Sequence, residues 1–552
     1  MRSAVVLAGL LLSLVVGVTT ASAEAGFGPH LARYSVTTDD LVVVDLGPLG
    51  TLEVDSPLPL TLGARVTVQE IPATLTEVDD ATTLQALSGD LQRYVQFFSA
   101  PRTTIEDVTR AVVADAVRRT ARTFVVLVAL WWVGRLVLGA PRRAELAQVL
   151  AAHRAHLAGA TALAVLVATV STSSLGPHDR VEESRPVSQV FAGTALEGAR
   201  VTGRLGGVID TYGTKVLAAY RTNQDFYAKA DTALAAAWDE RQVLQARASR
   251  VREQVLPVPA ATPPDGPPAL PPDPTASPEA SPTPEPTPTT PEEDLVVLVV
   301  VSDLHCNVGM APLITTLVER SGASVVLDAG DTTMNGTAVE QYCTSTFASA
   351  VPDGVDLVAV GGNHDSADSA RSYASAGATV LHGDVVEVAG IRVLGDSDPN
   401  ETRAGAATAS LGESVTEVGE RLARTACDDE ADLLLIHTPA VGDRVLSTGC
   451  VPAQVSGHWH RRTDPEQVGL GIRYISASSA GATLGQATVG PLNGTAELTV
   501  LRWDPATRLV VDSQVVRVTP SAGVEVGERR PWPQVVLPQR GGPVPINGPV
   551  PS

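Results

Sequence analysis

The chain has 552 residues, 44% hydrophobic and 4% aromatic, and carries a formal net charge of −21. That length leaves room for several domains. The acidity excludes a general nucleic-acid-binding surface and reads as a solvated exterior.

The opening stretch, MRSAVVLAGLLLSLVVGVTTASAEA, joins one arginine to an apolar run and an Ala21-Ser22-Ala23 small-x-small pattern. Residues 1–23 therefore read as a secretory signal, cleaved or retained as an anchor. From 24 to 122, the runs DLVVVDLGPLGTLEV and ARVTVQEI are separated by Gly/Pro turns, which predicts a small extracytoplasmic β-rich region leading into a helix.

Two further apolar stretches, 123–140 and 157–175, each approach the roughly 20 residues that a helix needs to cross a bilayer. The short segment 141–156 between them reads as a cytoplasmic loop. By parity, the signal exports the chain, the next span returns it and the third exports it again. The arginines at 110, 118, 119 and 122 then flank the second span on the outer side, against the positive-inside rule. Signal and parity are given the greater weight.

Residues 176–256 read as a mixed extracytoplasmic region, with strand candidates in TALEGARVTGRLGGVID and a helix over Thr211–Gln254. The Pro/Thr-rich stretch 257–293 has no residues from which to build a core. It reads as a semi-rigid linker holding the C-terminal domain off the membrane.

From 294 to 519 the pattern alternates strands and helices. Strand candidates are LVVLVVVS, SVVLDAG, DLVAVGG, IRVLGD, ADLLLIH, AQVSGH, IRYISAS, AELTVLRW and LVVDSQVVRV. Helices are expected after Val308, Thr337 and Ser366 and over Leu411–Ala426. The tail, 520–552, reads as disordered. Cys306, Cys343, Cys427 and Cys450 all lie in this last half. In an exported domain they predict two disulfides, with three possible connectivities, and in a cytosolic one free thiols.

The chemistry sits where the apolar runs stop. VVVSDLH ends in Asp303 and His305, VVLDAGD in Asp331, VAVGGNHD in Asn363, His364 and Asp365, LLLIH in His437, and VSGHWH in His458 and His460. Side chains alternate along a strand, so Asp303 and His305 share a direction. In mainly parallel sheets, ligands bind beyond the carboxyl ends of the strands, where these residues would converge. Asp303, His305, Asp331, Asn363, His437, His458 and His460 are oxygen and imidazole donors without sulfur, a set for hard or borderline divalent ions. Seven are too many for one tetrahedral ion and suit two ions roughly 3.5–4 Å apart. His382 reads as a surface or strand-end histidine and His153 and His156 as loop residues without a catalytic role, while Arg461 and Arg462 read either as contacts to a substrate phosphate or as solvated arginines.

The ordered set DLH, GD, GNHD, a lone His and GHWH resembles the calcineurin-like metallophosphoesterases over about Asp294 to Val518. The resemblance implies an α/β fold, a sandwich of two β-sheets flanked by helices, here preceded by a membrane-anchored half. It implies that Asp303, His305 and His460 bind one metal, that Asn363, His437 and His458 bind the other, and that Asp331 bridges them. His364, oriented by Asp365, would face the leaving group. The cofactors would be two divalent ions (Mn, Fe or Zn) and the partner a phosphate-ester substrate, hydrolysed by a hydroxide that the metals activate. The acid often found three residues after the GD aspartate is replaced here by Met334. Cys306, next to His305, would brace the ligand loop if paired and could serve as an additional soft donor if reduced. The integral-membrane, multi-pass reading and the absence of nucleic-acid binding complete these expectations. The alternatives are a metal-dependent amidase or peptidase, and a non-catalytic membrane-anchored metal- or ligand-binding module.

Overall fold

The computed structural model describes residues 2–28, 30–59, 61–69, 101–139, 141–142, 198–203, 205–254, 290–403, 407–483 and 491–534. The span expected over 157–175 and nearly all of the 257–293 linker lie outside the described residues.

The N-terminal half is built on two apolar helices and one sheet. Helix α1 (Arg2–Thr19) covers most of the stretch read as a signal. Strands β1 (Ser22–Phe27), β2 (His30–Thr37), β3 (Leu41–Asp45), β4 (Thr51–Asp55) and β5 (Gly63–Val68) follow, then α2 (Pro101–Val137) and β6 (Arg200–Val201). The sheet order is β1-β2-β5-β3-β4-β6. Its first two strands carry no long apolar run, and the sequence pattern does not reveal them.

Thr104–Val137, within α2, is long and apolar enough to cross a membrane, the one such helix among the described residues. It begins well before residue 123. Gly17 of α1 lets the helices touch: a Cβ there would lie 2.7 Å from the Ala116 carbonyl oxygen. The amide of Ser22 then donates to Asp115 Oδ2 at 3.0 Å, and Arg119 pairs with the same carboxylate. Strand β1 thus runs toward the start of α2 while α1 lies along its C-terminal half. Leu7, Leu10, Leu11, Val125, Leu130 and Trp132 are exposed on this pair.

The C-terminal domain is a two-sheet sandwich with helices on both outer faces. One sheet takes the order β10-β9-β8-β7-β19-β20-β21. Its parallel strands are β7 (Val296–Val301), β8 (Val325–Asp328), β9 (Asp356–Ala359) and β10 (Thr379–Val380). Antiparallel β19 (Ala496–Asp504), β20 (Leu509–Val518) and β21 (Val524–Val526) complete it, with β22 (Arg530–Pro531) on β20. The other sheet, β11-β12-β15-β16-β18-β17, comprises β11 (Val385–Val388), β12 (Ile391–Asp396), β15 (Leu433–Ile436), β16 (Ala453–Ser456), β17 (Thr463–Val468) and β18 (Gly471–Ile475). A small hairpin, β13 (Asn400–Glu401) with β14 (Ala409–Ser410), stands apart.

Leu298, Val300, Leu327 and Val358 from the first sheet meet Val393, Leu435, Val455 and Tyr474 from the second in one buried core. Strands β7 and β15 are apolar throughout because both of their faces are covered. Helices α4 (Ala311–Ser321), α5 (Gln341–Ser349) and α6 (Ala367–Ser375) accompany the first sheet, and α7 (Val415–Asp428) and α8 (Gly442–Thr448) the second.

Helix α3 (Leu205–Gln254) was expected as part of a separate region ahead of a spacer. It instead contributes to this domain. Tyr227, Ala230, Leu234 and Trp238 repeat at helical spacing and are buried with Val299, Leu313 and Leu317. Asp231 and Asp239 meet Thr316 and Arg320 of α4, and Arg241 donates to the Val526 carbonyl. Phe27 at the end of β1 packs on the same core, and Gly26 lies against the backbone of Val339. The expected disordered tail is ordered over its first fifteen or so residues, because β21, β22 and buried Trp532 close the sandwich. Residues 535–552 lie outside the described residues.

Candidate metal centre

Each expected ligand sits just past the carboxyl end of a parallel strand: Asp303 and His305 after β7, Asp331 after β8, Asn363 after β9, His437 after β15, and His458 and His460 after β16. The sandwich brings two sheet edges together, so residues more than 150 positions apart meet. Asp303, His305, Asp331, His458 and His460 all have positive φ, between 43° and 74°. That region costs an L-residue about 1–2 kcal/mol, and such strain collects at functional sites. Backbone hydrogen bonds between the first two loops hold it in place, from Asp303 N to Gly330 O, His305 N to Asp331 O and Cys306 N to Thr332 O, each 2.9 Å. Gly362 is required: a Cβ there would lie 2.2 Å from Asp331 Oδ1.

The donors form two groups. Asp303, His305, Asp331 and His460 make one; Asp331, His437 and His458 make the other, with Asp331 common to both. His305 Nε2 and His460 Nε2 are 3.0 Å apart, and His460 Nε2 is 3.3 Å from Asp303 Oδ1. His437 Nε2 lies 3.2 Å from Asp331 Oδ2, and His458 Nδ1 lies 2.9 Å from Asn363 Oδ1. His437 Nδ1 donates to the Ala329 carbonyl at 2.7 Å, which turns Nε2 toward the others. Converging lone pairs at about 3 Å repel one another unless a cation or proton sits among them. The donor set and its spacing therefore fit divalent metal.

The electrostatics agree. Burial opposes charge on both Asp331 and His437, but their mutual attraction outweighs it, holding the carboxyl far below and the imidazole well above its ordinary range, so that without a metal a proton takes the cation's place between them. Burial pushes His305 down to about 4, so its imidazole is neutral and able to coordinate.

His364 stands beside the cluster, its ring centre 5.1 Å from that of His305. Its backbone N–H donates to Asp331 Oδ1 at 2.9 Å. Asp365 does not orient it. The Asp365 carboxylate is turned inward, accepting from the amides of Thr332, Thr333 and Gly362 and from the Thr333 hydroxyl. The imidazole is braced by the carbonyl oxygen of Met334, 2.8 Å from Nδ1. Arg403, not singled out from the sequence, donates to the carbonyls of Asn363, His364 and Asp365 and so fastens this loop. No motif marks it.

The disulfides are Cys306–Cys343 and Cys427–Cys450. The first ties the residue after His305 to α5. Arg462 pairs with Glu497, while Trp459, between His458 and His460, is 41% exposed.

Residues 296–462 match the family model described as calcineurin-like phosphoesterase. No curated protein matches the sequence. Similar solved structures include a 5′-nucleotidase precursor from Thermus thermophilus, at 14% identity and a TM-score of 0.29, covering 41% of this chain and 55% of that one. A phosphatase from Mycoplasma pneumoniae gives 13% identity and a TM-score of 0.28, covering 41% and 94%. The NAD nucleotidase of Haemophilus influenzae gives 11% identity and a TM-score of 0.26, covering 44% and 50%. The aligned part thus spans about half the length of each nucleotidase.

Proposed function

Because residues 296–462 belong to the calcineurin-like phosphoesterase family, we propose that the chain is a membrane-tethered, extracytoplasmic hydrolase of phosphate esters that uses two divalent metal ions. The observation that carries this reading is the pair of donor groups sharing Asp331. Asp303, His305 and His460 would hold one ion, Asn363, His437 and His458 the other, and Asp331 would bridge them. Such ions supply positive charge for the phosphoryl oxygens and make a water acidic enough to attack near neutral pH.

The remaining chemistry falls to the protein. His364 keeps its Nδ1 proton on the Met334 carbonyl, which directs Nε2 to the exchangeable role of giving a proton to the departing oxygen. The amide of His364 holds Asp331 from behind, so the bridging carboxylate and the acid move together. Asp365 and Arg403 fix the loop that carries both.

Tethering is supported by α1 and α2, whose apolar faces are exposed along their paired length. The polar contact of Ser22 with Asp115 and Arg119 marks where that apolar length ends. Strand β6 pairs with β4 on the same side as the rest of the sheet. With α2 across a bilayer, that pairing supports the parity reading, which puts residue 200 on the side of strands β1 to β5. Two disulfides suit an oxidising compartment.

The deciding experiment is turnover by the purified full chain of an aryl phosphomonoester, an aryl phosphodiester and a peptide amide, with and without added Mn²⁺. Metal-dependent release from a phosphate ester is expected. Cleavage of the amide alone would favour the peptidase reading, and binding without turnover the non-catalytic one.

A further inference from the structure

The turn bearing Asp303 and His305 is unusually demanding. Asp303, His305 and Cys306 all have positive φ within four residues. None is glycine, so this conformation must be imposed by what surrounds the turn. One side is supplied by the segment after β18, where Ser478 Oγ donates to the Asp303 carbonyl at 2.7 Å and Ser479 N to the Ser302 carbonyl at 2.8 Å.

The other side comes from α3, a helix that precedes the phosphoesterase segment. The Tyr227 hydroxyl donates to Asn307 Oδ1 at 2.7 Å, and both residues are buried. The Asn307 amide reaches on toward the Ala480 carbonyl, 3.4 Å away, so Asn307 links α3 to the Ser478–Ala480 segment through the foot of the ligand turn. Gly309 lets the ring lie flat on the chain: a Cβ there would be 2.1 Å from Tyr227 Cε2. Burial also holds the phenol neutral, hence a donor.

We propose that Tyr227 is a positioning residue of the metal centre, through which α3 sets the affinity of the ion held by Asp303, His305 and His460. The inference rests on the metallophosphoesterase reading only for the presence of metal at those ligands. His437 and His458 come from the other sheet and meet the ligand turn through Asp331 and through the His458 amide on Asp303, so the effect should fall first on one ion.

The test uses the full chain in detergent, stripped of metal and titrated with Mn²⁺, with binding followed by calorimetry and by the magnetic coupling of paired ions. Tyr227→Phe removes the hydroxyl and keeps the ring. One of the two equivalents is expected to bind about ten-fold more weakly, as loss of one buried hydrogen bond implies. The other equivalent should change much less, and kcat should recover at saturating Mn²⁺. Leu234→Ala, on the same helix face but remote from the turn, should lower the melting temperature and leave both affinities alone. The double variant Tyr227→Phe/Asn307→Ala should bind no more weakly than Asn307→Ala, since both act through one contact. Unchanged affinities in Tyr227→Phe, in a wild-type protein that takes up two ions, would overturn the positioning role alone. A wild-type chain that takes up no metal would overturn the phosphoesterase reading and this inference together.

Discussion

His364 and Met334 are joined through the main chain: the imidazole Nδ1 lies 2.8 Å from the Met334 carbonyl oxygen. A carbonyl only accepts, so Nδ1 carries the proton and Nε2 is free for exchange. His364→Ala should retain both metal equivalents and lose about 10²–10⁴-fold in kcat. The loss should be largest for alkyl leaving groups, which need the proton, and smallest for nitrophenolate. Met334→Ala keeps the carbonyl and should stay near wild-type rate. Elemental analysis beside steady-state kinetics on a leaving-group series checks this, and an equal loss across the series would remove His364 from acid catalysis.

Asp365 is a buried acceptor for several donors rather than a partner of the imidazole. Asp365→Ala should therefore act first on stability, by about 2–4 kcal/mol, since buried N–H groups lose their acceptor. Denaturant titration reads the effect. An Asp365→Ala protein as stable as wild type, but slow and with a shifted pH profile, would restore the orienting role.

Metal stoichiometry should follow the geometry. Wild type should hold two equivalents, His305→Ala and His458→Ala one each, and Asp331→Ala fewer than either, because its carboxylate belongs to both groups. Plasma emission on dialysed protein measures this. Full activity at one equivalent would end the two-ion reading.

Asp328 is buried beneath the site, accepting from the Gly330 amide, the Thr332 hydroxyl and the Tyr373 hydroxyl. Burial pushes its pKa up to about 7. The native state then holds a proton that the unfolded chain has released. The stabilisation is fully present below about pH 4 and is lost as pH rises toward 7, at up to roughly 1.4 kcal/mol per pH unit. Melting of metal-stripped Asp328→Asn should show a flatter profile over that window than wild type. Parallel profiles would mean that Asp328 titrates normally.

The catalytic domain should face outward with its four cysteines paired. Protease added to intact cells should cut within 257–293, and an impermeant thiol reagent should label only after reduction. Replacing Cys427 and Cys450 by alanine should cost about 2–4 kcal/mol of stability. Replacing Cys306 and Cys343 should in addition weaken metal at His305. A linker protected until lysis, with free thiols, would place the site in the cytoplasm.

By itself the sequence determined most of the domain's longer strands, though not β11 or β17, and the polar residues gathered at their ends. A parallel strand covered on both faces must be apolar, so the polar residues at its end stand out, and Asp303, His305, Asp331, Asn363, His437, His458 and His460 were all legible in that way. Brief strands such as β10, β13 and β22 were not, because two residues carry no period and only the partner strand makes them a strand. The tertiary structure alone decided which acceptor each loop residue meets. The resemblance to the metallophosphoesterases implied Asp365 as the partner of His364. The close packing of the 331–336 turn on the 362–366 turn instead carries Asp365 inward and presents the Met334 carbonyl. The stripe Tyr227, Ala230, Leu234 and Trp238 was written in the chain as a helical period, but a period names a buried face and not its partner. That α3 lays this face on the phosphoesterase core, with Tyr227 against the metal-ligand turn, follows from contacts across some eighty residues, which local pattern cannot encode.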